Sequence, residues 1–192
     1  MKDEFTHMII GLTGSFGSGK TSIAKMLKGL GAYVIDADAV CHSLMASDKG
    51  VRSKVLRNFG TVDRASLGKI VFKDTARRRL LNRLLHPGVI RKMDKIAKTK
   101  RKKIVVVDAP LLIESGYYKK MDKVIIVKNN IDEQVRRVAR ARDISRKEII
   151  HRIRMQMPIK KKLAFADFII DNGGSKKNTL IQVKEVWKQL GV

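Results

Sequence analysis

Between an apolar run, Met8-Ile-Ile-Gly-Leu-Thr13, and a segment with Ile23, Ala24, Met26, Leu27 and Leu30 at helical spacing lies Gly14-Ser-Phe-Gly-Ser-Gly19-Lys20-Thr21. The eight residues match G-x-x-x-x-G-K-[ST], the pattern of a loop that cradles phosphate between a buried strand and a helix start. In such a loop, backbone N–H groups turn inward as an anion nest and the helix amino terminus adds partial positive charge. Lys20 then reaches the β/γ-phosphates and the Thr21 hydroxyl, with Ser22 beside it, binds Mg²⁺. With Gly near 7% of residues, the four fixed positions coincide by accident in on the order of one per cent of such chains, and the flanking strand and helix lower that further. The dinucleotide pattern G-x-G-x-x-G fails here, because Gly17-Ser-Gly19-Lys-Thr-Ser22 lacks the third glycine.

The rest of the chain fits around such a loop. Ala32-Tyr-Val-Ile35 reads as a second strand, with Gly31 as the helix stop before it. Ile104-Val-Val-Val-Asp108, Lys123-Val-Ile-Ile-Val127 and Asp167-Phe-Ile-Ile-Asp171 are continuous rather than alternating apolar runs. Strands buried on both faces of a parallel sheet read this way. Amphipathic helices carrying Ile131, Val135 and Val138, and Leu180, Val183, Trp187 and Leu190, lie between and after them, as βαβ units require. From Ala39 to about Lys100 the periodicity is helical throughout and predicts a separate lobe. His86-Pro87 is expected to break that stretch, with Pro87 in the first turn of the next helix.

At 192 residues the chain has room for one well-buried core and a small appended lobe. No apolar run approaches the ~20 residues that span a bilayer, and the opening MKDEFTH lacks the features of a secretion signal. Cys41 is the single cysteine, which excludes an intrachain disulfide. The expectation is a cytoplasmic protein with no membrane partner. The formal net charge of +24 and a pI near 10.5 point to an anionic partner without choosing among nucleic acid, acidic lipid and polyphosphate nucleotides.

Ligands gather at the carboxyl ends of parallel strands, where Asp36, Asp38 and Asp108 fall. Asp108 reads as a carboxylate that holds Mg²⁺ through water, and Asp36 or Asp38 as the acceptor of a proton from an attacking hydroxyl. The competing reading has Asp38 capping a helix from Ala39, and a merely structural part falls to Asp36 more readily than to Asp38. Arg136, Arg137, Arg140, Arg142, Arg146, Arg152 and Arg154 form a basic segment in which one or two residues are expected to clamp phosphate and the rest to line a solvated face. From Arg91 to Lys103, eight of thirteen residues are Lys or Arg with no aromatic interleaved, which argues against a base-stacking surface.

The phosphate loop, Val34-Ile-Asp-Ala-Asp38 with His42, Leu85-His-Pro87, Asp108-Ala-Pro-Leu-Leu-Ile-Glu114, Arg142-Asp with Gln156, and Ile170-Asp-Asn172 occur in order. In this, nearly the whole chain resembles the dephospho-coenzyme A kinases. The resemblance implies an α/β, three-layer P-loop kinase core with a parallel sheet, a helical acceptor-binding insert and a small helical lid. The core would comprise 1–40, 101–138 and 163–192, the lobe for the coenzyme A precursor 41–100, and the lid 139–162. It implies ATP and dephospho-coenzyme A as substrates and Mg²⁺ as cofactor; beside it, the expectation is of no specific nucleic-acid partner and of a monomer. Asp38 would be the base on the ribose 3′-hydroxyl, with Lys20, Arg142 and Asp36 also catalytic. Gly14, Ser15, Phe16, Gly17, Ser18, Gly19, Lys20, Thr21 and Ser22 would bind ATP together with Arg142, and with Asn172 beside the adenine. Asp38, His42, His86, Leu111 and Glu114 would line the acceptor side, and Thr21 and Asp108 would hold the metal. Met1 to His7 precede the usual family start.

Rival readings are a nucleoside monophosphate or shikimate-type kinase and a nucleic-acid-binding P-loop ATPase. No Asn-Lys-x-Asp guanine motif is present, Val127-Lys-Asn-Asn130 being a poor echo of it.

Overall fold

The computed structural model describes residues 7–100 and 103–191. Residues 1–6, and Arg101 and Lys102 of the basic run, lie outside the described residues. The chain divides into two compact units, Met1–Ile35 with Lys100–Val192, and Asp36–Thr99.

The first unit is built on a sheet of β1 (Ile9–Gly14), β2 (Tyr33–Asp36), β3 (Val105–Asp108), β4 (Lys123–Lys128) and β5 (Phe168–Asp171), in the order β2-β3-β1-β4-β5. β1 pairs in parallel with β3 and β4, and β4 with β5. The chain leaves β1 for one edge, returns beside it as β3, and then extends the other side. The carboxyl end of β1 therefore lies where the winding direction changes, the usual ligand position in such sheets.

Both faces of the sheet are covered, which is why its strands are apolar without alternation. Ile10 and Leu12 pack with Ile23 and Leu27 of α1 (Lys20–Gly29) and with Val183, Val186 and Leu190. On the other face, a Cβ placed on Gly11 would come within 2.4 Å of the Leu112 side chain. Full burial of each such side chain contributes roughly 1.5–3 kcal/mol. After α1, Gly31 N–H donates to Lys28 O and Ala32 N–H to Leu27 O, the paired bonds that close a helix just past its end, in agreement with the stop expected at Gly31.

The second unit holds α2 (Ala37–Ser47), α3 (Lys49–Phe59), α4 (Arg64–Lys73) and α5 (Thr75–Lys98) around Val55, Phe59, Leu67 and Leu85. Its helices start at Asp36, Asp48, Asp63 and Asp74, each of which accepts a backbone N–H at the first turn. Such caps are worth about 1 kcal/mol each. The scarce acids of this basic unit are thus mostly spent on helix starts.

Two expectations need correction. The helix at the end of β2 begins at Ala37 rather than Ala39, and its cap is Asp36: Asp36 Oδ1 accepts from the N–H of Asp38 at 2.9 Å and of Ala39 at 3.0 Å. Asp38 stands inside the first turn. Nor does His86-Pro87 break the chain, because α5 runs through Pro87 for 24 residues. An internal proline costs a helix about 3 kcal/mol. That cost is outweighed because Leu85, Val89, Met93 and Ala97, on both sides of Pro87, are all buried along one face. At Gly88 the missing side chain lets α5 meet α2 closely, since a Cβ there would come 2.7 Å from Leu44 Cδ2.

Candidate active site

β1 ends at Gly14 and α1 opens at Lys20, so the phosphate-binding motif occupies a strand-to-helix turn as its chemistry requires. Gly19, the residue before α1, has φ 93°, a left-handed conformation that side chains rarely adopt, and a Cβ on it would lie 2.0 Å from Asn172 Nδ2. Lys20, Thr21 and Ser22 form the first turn of α1, with Thr21 and Ser22 exposed. Lys20 Nζ donates to the Gly14 and Ser15 carbonyls, both at 3.1 Å. Asp108, the last residue of β3, pairs in register with Leu12 of β1, and Ala109 N–H donates to Leu12 O at 3.0 Å. The Asp108 backbone therefore stands beside the strand that feeds the loop.

Neighbouring elements tie the loop down. Buried Ser15 donates its hydroxyl proton to Gln134 Oε1 at 2.8 Å, and Gln134 Nε2 donates to Asn129 O at 2.8 Å. Phe16 N–H donates to Gln156 Oε1 at 2.7 Å. Asn172 Nδ2 donates to Ser18 O at 2.8 Å, while Asn172 Oδ1 accepts from the Thr179 hydroxyl at 3.0 Å. The Asn172 carboxamide is thus engaged with the phosphate loop and with the last helix, Lys176–Gln189. Arg137 in turn donates to Asn172 O at 2.9 Å. Gln134 and Thr179 were not singled out in the sequence. Gln134 carried a signal, being a polar residue on the apolar stripe of α6 (Ile131–Ala141); the roles of Thr179 and Arg137 depend on contacts no local pattern marks.

After β3 the chain turns through Pro110 to Glu114. Lys162, a side chain with no exposed surface, donates to Pro110 O at 2.8 Å and lies 3.0 Å from Glu114 Oε1. Glu114 Oε1 also accepts the Met157 N–H at 3.0 Å, and the Thr13 hydroxyl reaches Pro110 O at 3.3 Å. Burial pushes the Lys162 ammonium below its ordinary 10.5, and the Glu114 carboxylate only partly offsets this. Of the acceptor-side candidates in this turn, Leu111 is half-buried, and Glu114 is engaged with Lys162 and Met157.

Ion pairs take up much of the arginine segment, in line with the solvated-face reading: Arg136 and Arg137 bond Glu133, Arg146 bonds Asp132, and Arg152 bonds Glu148. Arg137, through its side-chain hydrogen bond, is the chief cause that holds Glu133 below its usual carboxylate range. Arg142 follows the last turn of α6 and sets its guanidinium 5.6 Å from the centre of the Phe16 ring.

In the second unit, Asp36 is a helix cap and Asp38 an exposed residue of the first turn of α2. Cys41 follows one turn later; burial, and secondarily the Asp38 carboxylate, raise its thiol above 9.0. His42 is exposed, and burial lowers the His86 imidazole below 6.5, so that it is neutral at physiological pH. Among the described residues no cluster of three or more His, Cys, Asp or Glu is arranged to hold a metal. The donors expected in the first unit, the Thr21 hydroxyl and the Asp108 carboxylate, instead suit Mg²⁺, which takes few protein oxygens and keeps its waters and substrate phosphates.

A family model for dephospho-CoA kinase matches residues 8–178. The dephospho-CoA kinase of Syntrophus aciditrophicus is 37% identical over 193 residues, covering 94% of this chain and 82% of that protein. A protein of known crystal structure from Thermus thermophilus superimposes with a TM-score of 0.82 at 30% identity, covering 96% of this chain and 98% of its own. The dephospho-CoA kinase structure from Campylobacter jejuni gives 0.68 at 26% identity, covering 95% and 96%. With the strand order, the phosphate loop and a match over nearly the whole chain in agreement, this chain belongs to the dephospho-CoA kinase family.

Proposed function

We propose that the protein transfers the γ-phosphoryl group of ATP to the ribose 3′-hydroxyl of dephospho-coenzyme A, giving ADP and coenzyme A. The observation that carries this reading is the Gly14–Thr21 loop, opening onto α1 beside the strand that ends in Asp108, in a chain of this family. The reading extends to a helical acceptor lobe at 41–100, a lid at 139–162, and a cytoplasmic monomer without specific nucleic-acid or membrane partners. Among the described residues no helix is long and apolar enough to cross a membrane.

In this reading the amides from Gly14 to Ser22 cradle the triphosphate, and Lys20 leaves the Gly14 and Ser15 carbonyls to neutralise the β- and γ-oxygens. Asp38 accepts the proton of the 3′-hydroxyl as its oxygen bonds to the γ-phosphorus and the bond to the β–γ bridging oxygen breaks. Asp36 is less available for this, because its Oδ1 already accepts two amides and fixes the start of α2, so its contribution is to place Asp38. Arg142 offsets charge on the transferring group, and lid closure excludes water. His42, neutral His86, Leu111 and Glu114 line the acceptor side; Glu114 does so while paired with Lys162. Thr21 and Asp108 would hold Mg²⁺, which when bound draws charge from the phosphate oxygens.

An ATP-coupled assay tests the reading: dephospho-coenzyme A should be phosphorylated in preference to nucleoside monophosphates or shikimate, and preference for either of those would overturn the substrate assignment. Lys20→Ala should lose turnover severely. Asp38→Asn should lose about 10² to 10⁴ in kcat while still binding ATP, and near-normal turnover would remove Asp38 from the chemistry.

A further inference from the structure

Phe16 occupies one of the positions the phosphate-loop motif leaves open, and its half-buried ring does not point to phosphate chemistry. It packs instead against the apolar cluster of Val135, Val138 and Ile149, which joins α6 to α7 (Arg146–Arg154). Two guanidinium groups come to that ring: Arg142 with its Cζ 5.6 Å from the centroid and Arg152 at 5.4 Å. Both distances fall in the range of cation–π attraction, in which the negative ring face offsets the cation's loss of water. The backbone of the same residue is fixed as well, by the bond from Phe16 N–H to Gln156 Oε1.

The two arginines differ in their other support. Arg152 is held one turn back on its own helix by Glu148 at 2.6 Å. Arg142 lies just past the end of α6, where the chain leaves the helix in an extended conformation, and its side chain is exposed. A long side chain at such a place has many rotamers, and a charged group that must meet a phosphoryl in flight gains from having few.

We propose that Phe16 is a positioning residue, whose ring holds the Arg142 guanidinium at the rim of the phosphate-binding loop so that it is in place when the γ-phosphoryl moves. The proposal rests on the role given to Arg142 above. It makes the identity of this open motif position a determinant of turnover, acting through the arginine rather than through a contact with ATP.

Steady-state kinetics on Phe16→Leu, Phe16→Tyr, Arg142→Ala and the Phe16→Leu/Arg142→Ala double variant test it. Leucine refills the apolar cluster but has no ring face; tyrosine keeps the face. Phe16→Leu should lower kcat about tenfold with KM for dephospho-coenzyme A within about twofold, and Phe16→Tyr should recover most of the loss. The double variant should be no slower than Arg142→Ala alone, because the guanidinium that remains on the ring, Arg152, is held by Glu148 as well and has no assigned part in the transfer. Phe16→Met serves the same comparison if the leucine variant does not fold. Normal turnover of Phe16→Leu beside an impaired Arg142→Ala overturns the inference and leaves the role of Arg142 standing. Equal impairment of the leucine and tyrosine variants, or losses that multiply in the double variant, also overturn it. A fully active Arg142→Ala removes both readings together.

Discussion

Lys162 Nζ sits 3.0 Å from Glu114 Oε1 in a position with no exposed side-chain surface, joining two segments 48 residues apart in the chain. Breaking a buried pair from one side is far more damaging than replacing both members, because the survivor is left charged and partly out of water. We expect Lys162→Met to lower unfolding free energy by about 3 kcal/mol, and Lys162→Met combined with Glu114→Leu to recover at least half of that. Urea denaturation of the three variants decides it. Equal stability of the single and double variants would mean that the ammonium matters only for its bond to the Pro110 carbonyl.

At the end of β5, Asp171 Oδ1 accepts the Gly173 N–H at 2.9 Å and Oδ2 lies 3.1 Å from Lys128 Nζ. The Gly173 amide first, and Lys128 after it, hold the carboxyl below its ordinary 3.8. A carboxyl with a depressed folded value adds stability that is complete above the unfolded value and is lost as pH falls through the folded one. The stability difference between wild type and Asp171→Asn is therefore expected to be constant down to about pH 5 and to shrink towards about pH 2. Denaturant titrations across that interval measure it, and a difference that stays flat or widens in acid refutes the assignment.

Pro87 lies inside α5, where it can donate no hydrogen bond to the preceding turn. Because the helix is already continuous and Pro87 is exposed, Pro87→Ala should restore that bond without disturbing the buried face of Leu85, Val89 and Met93. The expected gain is about 1–3 kcal/mol, read from the shift in denaturation midpoint. A loss of stability would show that the local geometry proline imposes is needed for α5 to pack on α2.

The strands and the phosphate loop were legible because their determinants are local: apolar runs of strand length, a glycine pattern, and helical spacing directly behind it. The misplaced break at Pro87 has the opposite origin. Proline's local penalty was read correctly, but the buried residues on both sides of it belong to the packing of α5 against α2, α3 and α4, which periodicity alone does not reveal. The same holds for Asp36 and Asp38, two residues apart and both able to cap; which one does so follows from where β2 ends. Asn172 was picked out by likeness, yet its carboxamide is used on Ser18 and Thr179, 154 and 7 residues away. Lys162 gave no signal at all, since in Lys160-Lys161-Lys162 nothing marks the third lysine as the buried one.

Ser15, Phe16 and Ser18 are each moored by a side-chain amide from elsewhere in the first unit: Gln134, Gln156 and Asn172. A turn held at three points without a ligand has little freedom left to surrender when an anion arrives. Its affinity for phosphate is then set by the electrostatics of the amides and Lys20 rather than by an entropic toll, so substitutions at these distant carboxamides should register as weaker nucleotide capture even though none of them needs to touch the nucleotide.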